Sequence, residues 1–335
     1  MNFDGITKER NKIAEQVLEK LTSEVKVARL MFSDINGMVK SFEINANRVE
    51  HALFEGESFD GSSITGYGGL EESDMVAIPD PSTFTIIPWV DNNKGCSFIC
   101  DICNPNGSRY EGDPRYILQR AVKRAEGMGY TFYAAPELEF FFLKNDGKGP
   151  EAHDMRGYFD FDPVDEGEKM RRQIVVWAQN IGIQIDTAHH EGAKGQHEVD
   201  FRYDQPIPTS DHAMMLKMLI RVVASKFGYI GTFMPKPFFG HNGSGMHIHQ
   251  SLWSNGENKF YDANAPGNVS SIMKKFIAGQ LKYAKEMYAV LCSWPNSYKR
   301  LVPGYEAPIY IAWDYKNPWG TGFSLAHFNI PFQLL

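Results

Sequence analysis

Cysteine is scarce in this chain, with four residues in 335. Disulfide-stapled scaffolds are short and cysteine-dense, so that class is excluded. No uninterrupted apolar run reaches the roughly 18 residues that a membrane span requires. The opening Met-Asn-Phe-Asp-Gly lacks the charged-then-apolar layout of a secretory signal. Positive charge is in deficit: 34 Lys and Arg face 41 Asp and Glu, a formal charge of −7. That is the wrong sign for a protein that grips a phosphate backbone. Neither nucleic acid nor membrane is expected as a partner, and a cytoplasmic location is expected. Internal repeats and low-complexity tracts are also missing from the sequence. What remains is a globular balance, 43% hydrophobic and 22% charged, in a chain long enough for two ordinary domains.

Three of the cysteines fall at Cys96, Cys100 and Cys103, a spacing that some iron–sulfur enzymes use. The surrounding residues are β-like, and in an extended strand Cys96, Phe98, Cys100 and Ile102 share one face while Cys103 points to the other. The thiols then cannot converge, and the expected role is that of small buried hydrophobes.

Along the chain, residues 5–21 carry apolar positions at helical spacing, and residues 25–44 alternate like a hairpin with Asn36-Gly37 as its turn. A second β-rich stretch covers 76–103. The turn formers Asn104-Pro-Asn-Gly107 and Glu111-Gly-Asp-Pro114 then open a helix over 115–128, and the domain boundary is placed there. Beyond it the pattern predicts a strand at 132–143, a helix at 165–181 and a strand pair at 183–204. A helix at 210–228, a strand at 245–253 and a helix at 269–291 complete it. This mixed order argues for α+β over a strict βαβ series.

The chemistry lies in the second half. In Ala135-Pro-Glu137-Leu-Glu139-Phe140, two carboxylates two apart on a strand project from one face among residues that want burial. Such a pair is poorly solvated and self-repelling unless a cation lies nearby; the alternative is the solvated edge of an amphipathic strand. In His189-His-Glu191-Gly-Ala-Lys-Gly-Gln-His-Glu198, two more carboxylates flank a glycine turn, and a hairpin would bring them face to face. Hard oxygen ligands of this kind suit Mg²⁺ or Mn²⁺ better than Zn²⁺. His189, His190 and His197 taken alone are weak evidence of a ligand. In Gly240-His-Asn242-Gly243-Ser-Gly245-Met-His247-Ile-His249-Gln-Ser251, glycines let backbone approach a ligand, and His247 and His249 share a strand face.

Five blocks, in this order, together resemble the signature segments of type I glutamine synthetases. They are Phe59-Asp60-Gly-Ser-Ser63, Pro136-Glu137-Leu-Glu139-Phe140, His190-Glu191 with Gly195-Gln-His-Glu198, Asn242-Gly-Ser-Gly-Met-His247, and Lys299-Arg300-Leu-Val-Pro-Gly-Tyr-Glu306-Ala-Pro308. The resemblance runs to about Asn317. It implies an α+β chain: a β-grasp N-terminal domain over 1–105, then a catalytic domain over 106–317 with a curved, mainly antiparallel sheet and flanking helices. It also implies a homo-oligomer, a dodecamer of two hexameric rings with active sites at subunit junctions.

By the same resemblance, Glu139, Glu191 and Glu198 match ligands of a first metal, and Glu137 and His247 match two ligands of a second. The ions would be Mg²⁺ or Mn²⁺, two per site. Asp186, His249 and Ser251 match positions beside ATP. Asn242, Gly243 and Arg300 match residues that hold glutamate, and a guanidinium suits a carboxylate by its two-pronged geometry. Asp60 and Glu306 match carboxylates around the ammonium pocket, with Glu306 on a closing flap.

The implied reaction joins ammonia to the γ-carboxylate of L-glutamate at the cost of ATP, through a γ-glutamyl phosphate. A γ-glutamyl ligase acting on an amine, or a catalytically impaired relative serving as a binding or assembly subunit, are the alternatives. The sequence departs from the family at three places. Asp186 replaces the usual glutamate. Gly69 stands where one subgroup carries an arginine tied to feedback inhibition. From Pro318 to Leu335 no Arg, Lys, Asp or Glu occurs, where the family continues with arginines and a further metal ligand. A divergent tail over 318–335 and weak activity of the chain as written are the expectations.

Overall fold

Thr7 starts the first helix in the computed structural model, which describes residues 7–67, 73–90, 94–311 and 313. Its hydroxyl accepts from Arg10 N at 3.2 Å, satisfying one of the donors that a helix N-terminus leaves open. Gly69 and the 318–335 segment lie outside the described residues. The chain divides into two compact units, one made of the residues up to Ala121 with Asn180–Gly182, the other of the remainder.

In the first unit the elements run α1 (Lys8–Lys20), β1 (Val27–Ser33), β2 (Val39–Asn45), α2 (Val49–Glu55), β3 (Glu57–Asp60), β4 (Asp74–Pro79), β5 (Thr85–Ile86) and β6 (Gly95–Cys103). The β1–β2 hairpin turns at Gly37, whose φ is +73°, a conformation glycine reaches without penalty. Asp34 fixes that turn, its carboxylate accepting from Asn36 N and Met38 N at 2.9 Å each. The sheet order is β2-β1-β6-β4-β3, with β5 also on β6. β1 and β6 are parallel while the other pairs are antiparallel. Ala14 and Val17 of α1 pack with Leu30, Phe98, Cys96, Cys100 and Ile102 in one apolar cluster, whereas Cys103 joins Val76 and Ile78 in another. The cysteines of β6 therefore divide between faces as strand alternation predicts, and all four cysteines of the chain are buried.

The helix α3 (Pro114–Gly127) leads into the second unit. There follow β7 (Thr131–Lys144), α4 (Glu166–Asn180), β8 (Ile185–His190), β9 (Gln196–Phe201), α5 (Pro206–Lys226), β10 (Tyr229–Thr232), β11 (Ile248–Ser254), β12 (Glu257–Asn258), α6 (Ser271–Leu291) and α7 (Pro295–Arg300). The sheet order is β12-β11-β7-β9-β8, with β10 also on β7, and every pairing is antiparallel. Alternation along β7 gives the two faces opposite characters. Leu138, Phe140 and Phe142 are fully buried on the side against which α5 packs with Leu216, Leu219, Ile220 and Val223. Glu137 and Glu139 project from the other side. Each long helix and strand expected from periodicity is present within a few residues of its expected bounds. The short α2, β3 and α7 were not expected.

Candidate active site

The acidic face of the second sheet is set by register. Glu139 stands opposite Glu198 and Glu137 opposite Asp200 on β9, while His189 of β8 stands opposite Glu198. His249 faces Ala135 across β11 and β7, so it shares the side of Glu137. Glu191 lies just past β8, where its N–H donates to Gln196 O at 2.8 Å. Two residues beyond His189, it falls on the same side of the hairpin.

Like charges opposite one another in a sheet repel, and burial removes the water that would screen them. Here Glu139, Glu191 and Glu198 are all buried. Burial, followed by the nearby Glu139 charge, pushes the Glu191 carboxyl up to about 7. The same two causes, with Asp200 and Glu137 adding to them, push Glu198 strongly upward. Asp200 is raised to about 6, chiefly by burial and despite the hydrogen bond it accepts from the Thr187 hydroxyl. Its Oδ1 is buried and receives no hydrogen bond.

Glu137 behaves in the opposite way. Burial would raise it, but hydrogen bonds with His247 (2.9 Å, Nδ1 to Oε2) and His249 hold it well below the usual carboxylate range. His247, although desolvated, is raised to about 9 by that bond and by the charge of Glu139. His247 Nε2 lies 3.6 Å from Glu139 Oε1, so one imidazole spans both carboxylates of the β7 pair.

The glycine segment before β11 serves close approach. Gly245 N donates to Glu139 Oε2 at 3.0 Å, beside Gln196 Nε2 at 3.0 Å. A Cβ at Gly245 would lie 2.5 Å from Arg300 Nη2, and one at Gly243 would lie 2.1 Å from Pro235 O. Arg300, at the end of α7, is buried. Its Nε is 3.4 Å from Gly243 O, and its Nη1 is buried without a hydrogen-bond partner. Asn242 borders the same segment, its Nδ2 3.1 Å from where a Gly192 Cβ would be.

Of the other candidates, Asp186 is the extra residue of an irregularity in β8, between Ile185 opposite Phe201 and Thr187 opposite Asp200; it is exposed. Ser251 stands opposite Tyr133 and accepts from Trp253 Nε1 at 3.0 Å. Glu306 is exposed in a turn, near enough to Glu191 to raise it further. Asp60 ends β3 in the first unit, where Ser62 N donates to its Oδ1 at 2.8 Å. The Ser62 side chain and backbone hold its carboxyl below the usual range.

The second sheet thus gathers Glu137, Glu139, Glu191, Glu198, His247 and His249 on one side, with Arg300 behind Gly245. Sequence reasoning missed Asp200 and Gln196 here, and it set His189 aside as weak evidence of a ligand. It also missed the edge-on rings of Tyr133, Tyr203 and Trp253 beside Ser251, with centroids 5.8 and 6.0 Å apart. The donor set fits a divalent cation: His189, Glu198 and Asp200 offer ligand atoms all within 4.8 Å of one another, and the buried carboxyls of Glu191 and Glu198 are pushed upward where positive charge would relieve them.

Residues 111–318 match the family described as "Glutamine synthetase, catalytic domain" and residues 24–105 the one described as "Glutamine synthetase, beta-Grasp domain". The chain is 48% identical to the glutamine synthetase of Thermotoga maritima, covering 88% of this chain and 68% of that one. It is 46% identical to that of Methanosarcina mazei, over 90% and 69% respectively. Among solved structures, the Plasmodium falciparum glutamine synthetase superposes with a TM-score of 0.80 at 27% identity, over 91% of this chain and 66% of that one. An ADP complex of GmaS superposes with 0.79 at 27%, over 87% and 67%. No helix among the described residues is long and apolar enough to cross a membrane. With both domain types matched in order and close relatives covering most of its length, the chain belongs to the glutamine synthetase family, the ligases that join ammonia to glutamate.

Proposed function

We propose that the acidic face is where glutamate is activated by ATP and then aminated, with the residues in the following roles. Glu139, Glu191 and Glu198 would hold one divalent ion and Glu137 with His247 a second, and these ions would offset the charge of two anionic substrates brought together. The observation that carries the reading is the Glu139–Gly245–Arg300 arrangement. One glycine allows a metal-binding carboxylate and a carboxylate-binding guanidinium to approach the same backbone atoms, and the guanidinium keeps a buried donor, Nη1, unpaired. A buried donor without an acceptor costs on the order of 1–3 kcal/mol, and an incoming glutamate carboxylate removes that cost.

In the first step the γ-carboxylate of glutamate attacks the γ-phosphorus of ATP and ADP departs, leaving an acyl phosphate. In the second, ammonium gives a proton to Asp60 or Glu306, the freed ammonia attacks the acyl carbon, and inorganic phosphate leaves. Asn242 and Gly243 position the amino-acid end of glutamate. Asp186, His249 and Ser251 contact ATP, with the exposed ring of Tyr203 offering the base a flat surface. A ring-shaped homo-oligomer is the expected working form.

The test measures phosphate and glutamine release with ATP, glutamate and ammonium, and γ-glutamyl hydroxamate when hydroxylamine replaces ammonium. Both products should require ATP and Mg²⁺ or Mn²⁺. Hydroxamate with no glutamine would replace ammonia by another amine as acceptor, and neither product would overturn the reading.

A further inference from the structure

We infer that Lys236 is a positioning residue for the second half of the proposed reaction: it pins the ring of Tyr305 and thereby holds Glu306, the next residue, beside the acidic face. The inference rests on the proposed role of Glu306 at the ammonium ion. Lys236 Nζ lies 3.8 Å from the centroid of the Tyr305 ring, and Lys236 is buried. Its ammonium group also donates to His241 O. Among the described residues no carboxylate forms an ion pair with it.

A desolvated ammonium group is costly unless something negative faces it. The face of an aromatic ring is such a partner, and it attracts a cation more strongly away from water than in it. The ring here belongs to a stretch that needs an anchor. Residues 301–311 form neither helix nor strand. Val302 N donates to Arg300 O at 2.9 Å, but among the described residues none of 303–311 makes a backbone–backbone hydrogen bond. Gly304, just before Tyr305, has a φ of +89°, so the chain turns there. A segment of this kind takes its position from side-chain contacts. Consecutive Cα atoms are about 3.8 Å apart, so a fixed Tyr305 confines Glu306 as well.

Lys236 is itself fixed. Its N–H donates to Asn296 Oδ1 at 2.8 Å and its carbonyl accepts from Asn296 Nδ2 at 3.1 Å, which ties it to α7, the helix that delivers Arg300. The preceding carbonyl, of Pro235, accepts from Ser244 N at 2.9 Å. Together with the bond to His241 O, this joins the lysine to the glycine segment, where a Cβ at Gly243 would lie 3.2 Å from Lys236 Cδ. One side chain therefore connects the segment proposed to hold glutamate with the turn that carries Glu306. That turn brings the Glu306 carboxylate within electrostatic reach of Glu191. Loss of the contact should leave glutamate activation largely intact and let Glu306 drift from the place where ammonium gives up its proton.

The test compares ammonium with hydroxylamine as acceptor in the full chain. Hydroxylamine is neutral near neutral pH and needs no carboxylate to free its lone pair, whereas ammonium does. Tyr305→Leu removes the ring, and Lys236→Met removes the charge but keeps the stem. Each should lower ammonium-dependent glutamine formation roughly three- to thirtyfold, while hydroxamate formation falls about twofold or less. Tyr305→Phe, which keeps the ring, should restore glutamine formation, and the double variant should be no worse than the more impaired single one. Circular dichroism checks folding, and Glu306→Gln is the reference. Selective loss of glutamine formation in Glu306→Gln but not in folded Tyr305→Leu would overturn the positioning role and leave that of Glu306 standing. Equal loss with both acceptors in the Lys236 and Tyr305 variants would overturn it too. Unchanged ammonium use in Glu306→Gln, or neither product from the unsubstituted chain, would remove the functional reading and this inference with it.

Discussion

Glu139 and Glu198 face each other across neighbouring antiparallel strands, both buried and both on the face that carries Glu137 and Glu191. Two carboxylates so placed cannot both be ionised cheaply. The fold therefore stores a preference for protons or cations at this point, and much of the expected solution behaviour follows from it.

The first prediction concerns pH without metal. Glu191 is raised from an ordinary 4.5 to about 7, so between those values the folded state binds a proton that the unfolded chain releases. A group shifted upward makes the fold less stable as pH rises through that window. For Glu191 alone this amounts to about 2–3 kcal/mol lost between roughly pH 4.5 and 7, and Glu198 adds to it with the same sign. Calorimetric melting of chelator-treated protein should show Tm falling across this range. Glu198→Gln, which removes one titrating carboxyl from the cluster, should flatten the slope.

The second prediction reverses that sign with metal. Mn²⁺ must displace protons from Glu191 and Glu198, so its affinity should rise between pH 6 and 8, with proton release that depends on buffer ionisation heat. Isothermal titration should detect both effects. Unchanged Mn²⁺ binding in the Glu139→Ala/Glu198→Ala double variant would show that the ligands are elsewhere.

The third prediction separates nucleophile from activated acid. Asp60→Ala should depress ammonium use much more than glutamate-dependent ATP binding, because its proposed partner is the ammonium ion. Kinetics with varied ammonium, set beside nucleotide binding with glutamate present, make the comparison. Equal loss of both would remove the assigned role.

How far the sequence discloses the site depends on the range of the interactions that build it. Alternation is local, so the shared face of Glu137 and Glu139 and the division of Cys96 and Cys100 from Cys103 are legible in the sequence. So is the turn at Gly37, because one residue type answers one backbone conformation. Register between distant strands is not local. Nothing near Asp200 announces that it stands opposite Glu137, 63 positions earlier, and Gln196 looks like an ordinary turn residue until its amide meets Glu139. His190 and His197 read singly as unremarkable histidines. They become a hydrogen-bonded cluster only when His153 and Asp154, far earlier in the chain, reach the back of the hairpin. Helices such as α7, with six residues, are too short for periodicity to identify, yet α7 delivers Arg300.

The last prediction tests the arrangement that carries the functional reading. Gly245→Ala adds a methyl group 2.5 Å from Arg300 Nη2 and 3.3 Å from Glu139 Oε1, with no positive φ to complicate the change. The guanidinium must move, since the neighbouring backbone N–H is already committed to Glu139. Displacement of a charged, two-pronged contact costs about 1.5–3 kcal/mol, so KM for glutamate should rise roughly tenfold to a hundredfold. ATP affinity should change little, because His249 and Ser251 are not touched by the added methyl. Steady-state kinetics against both substrates, with the melting temperature as a control for folding, decide the matter. An unaltered glutamate KM in a well-folded Gly245→Ala protein would separate Arg300 from glutamate binding and leave it as a structural support for the glycine segment.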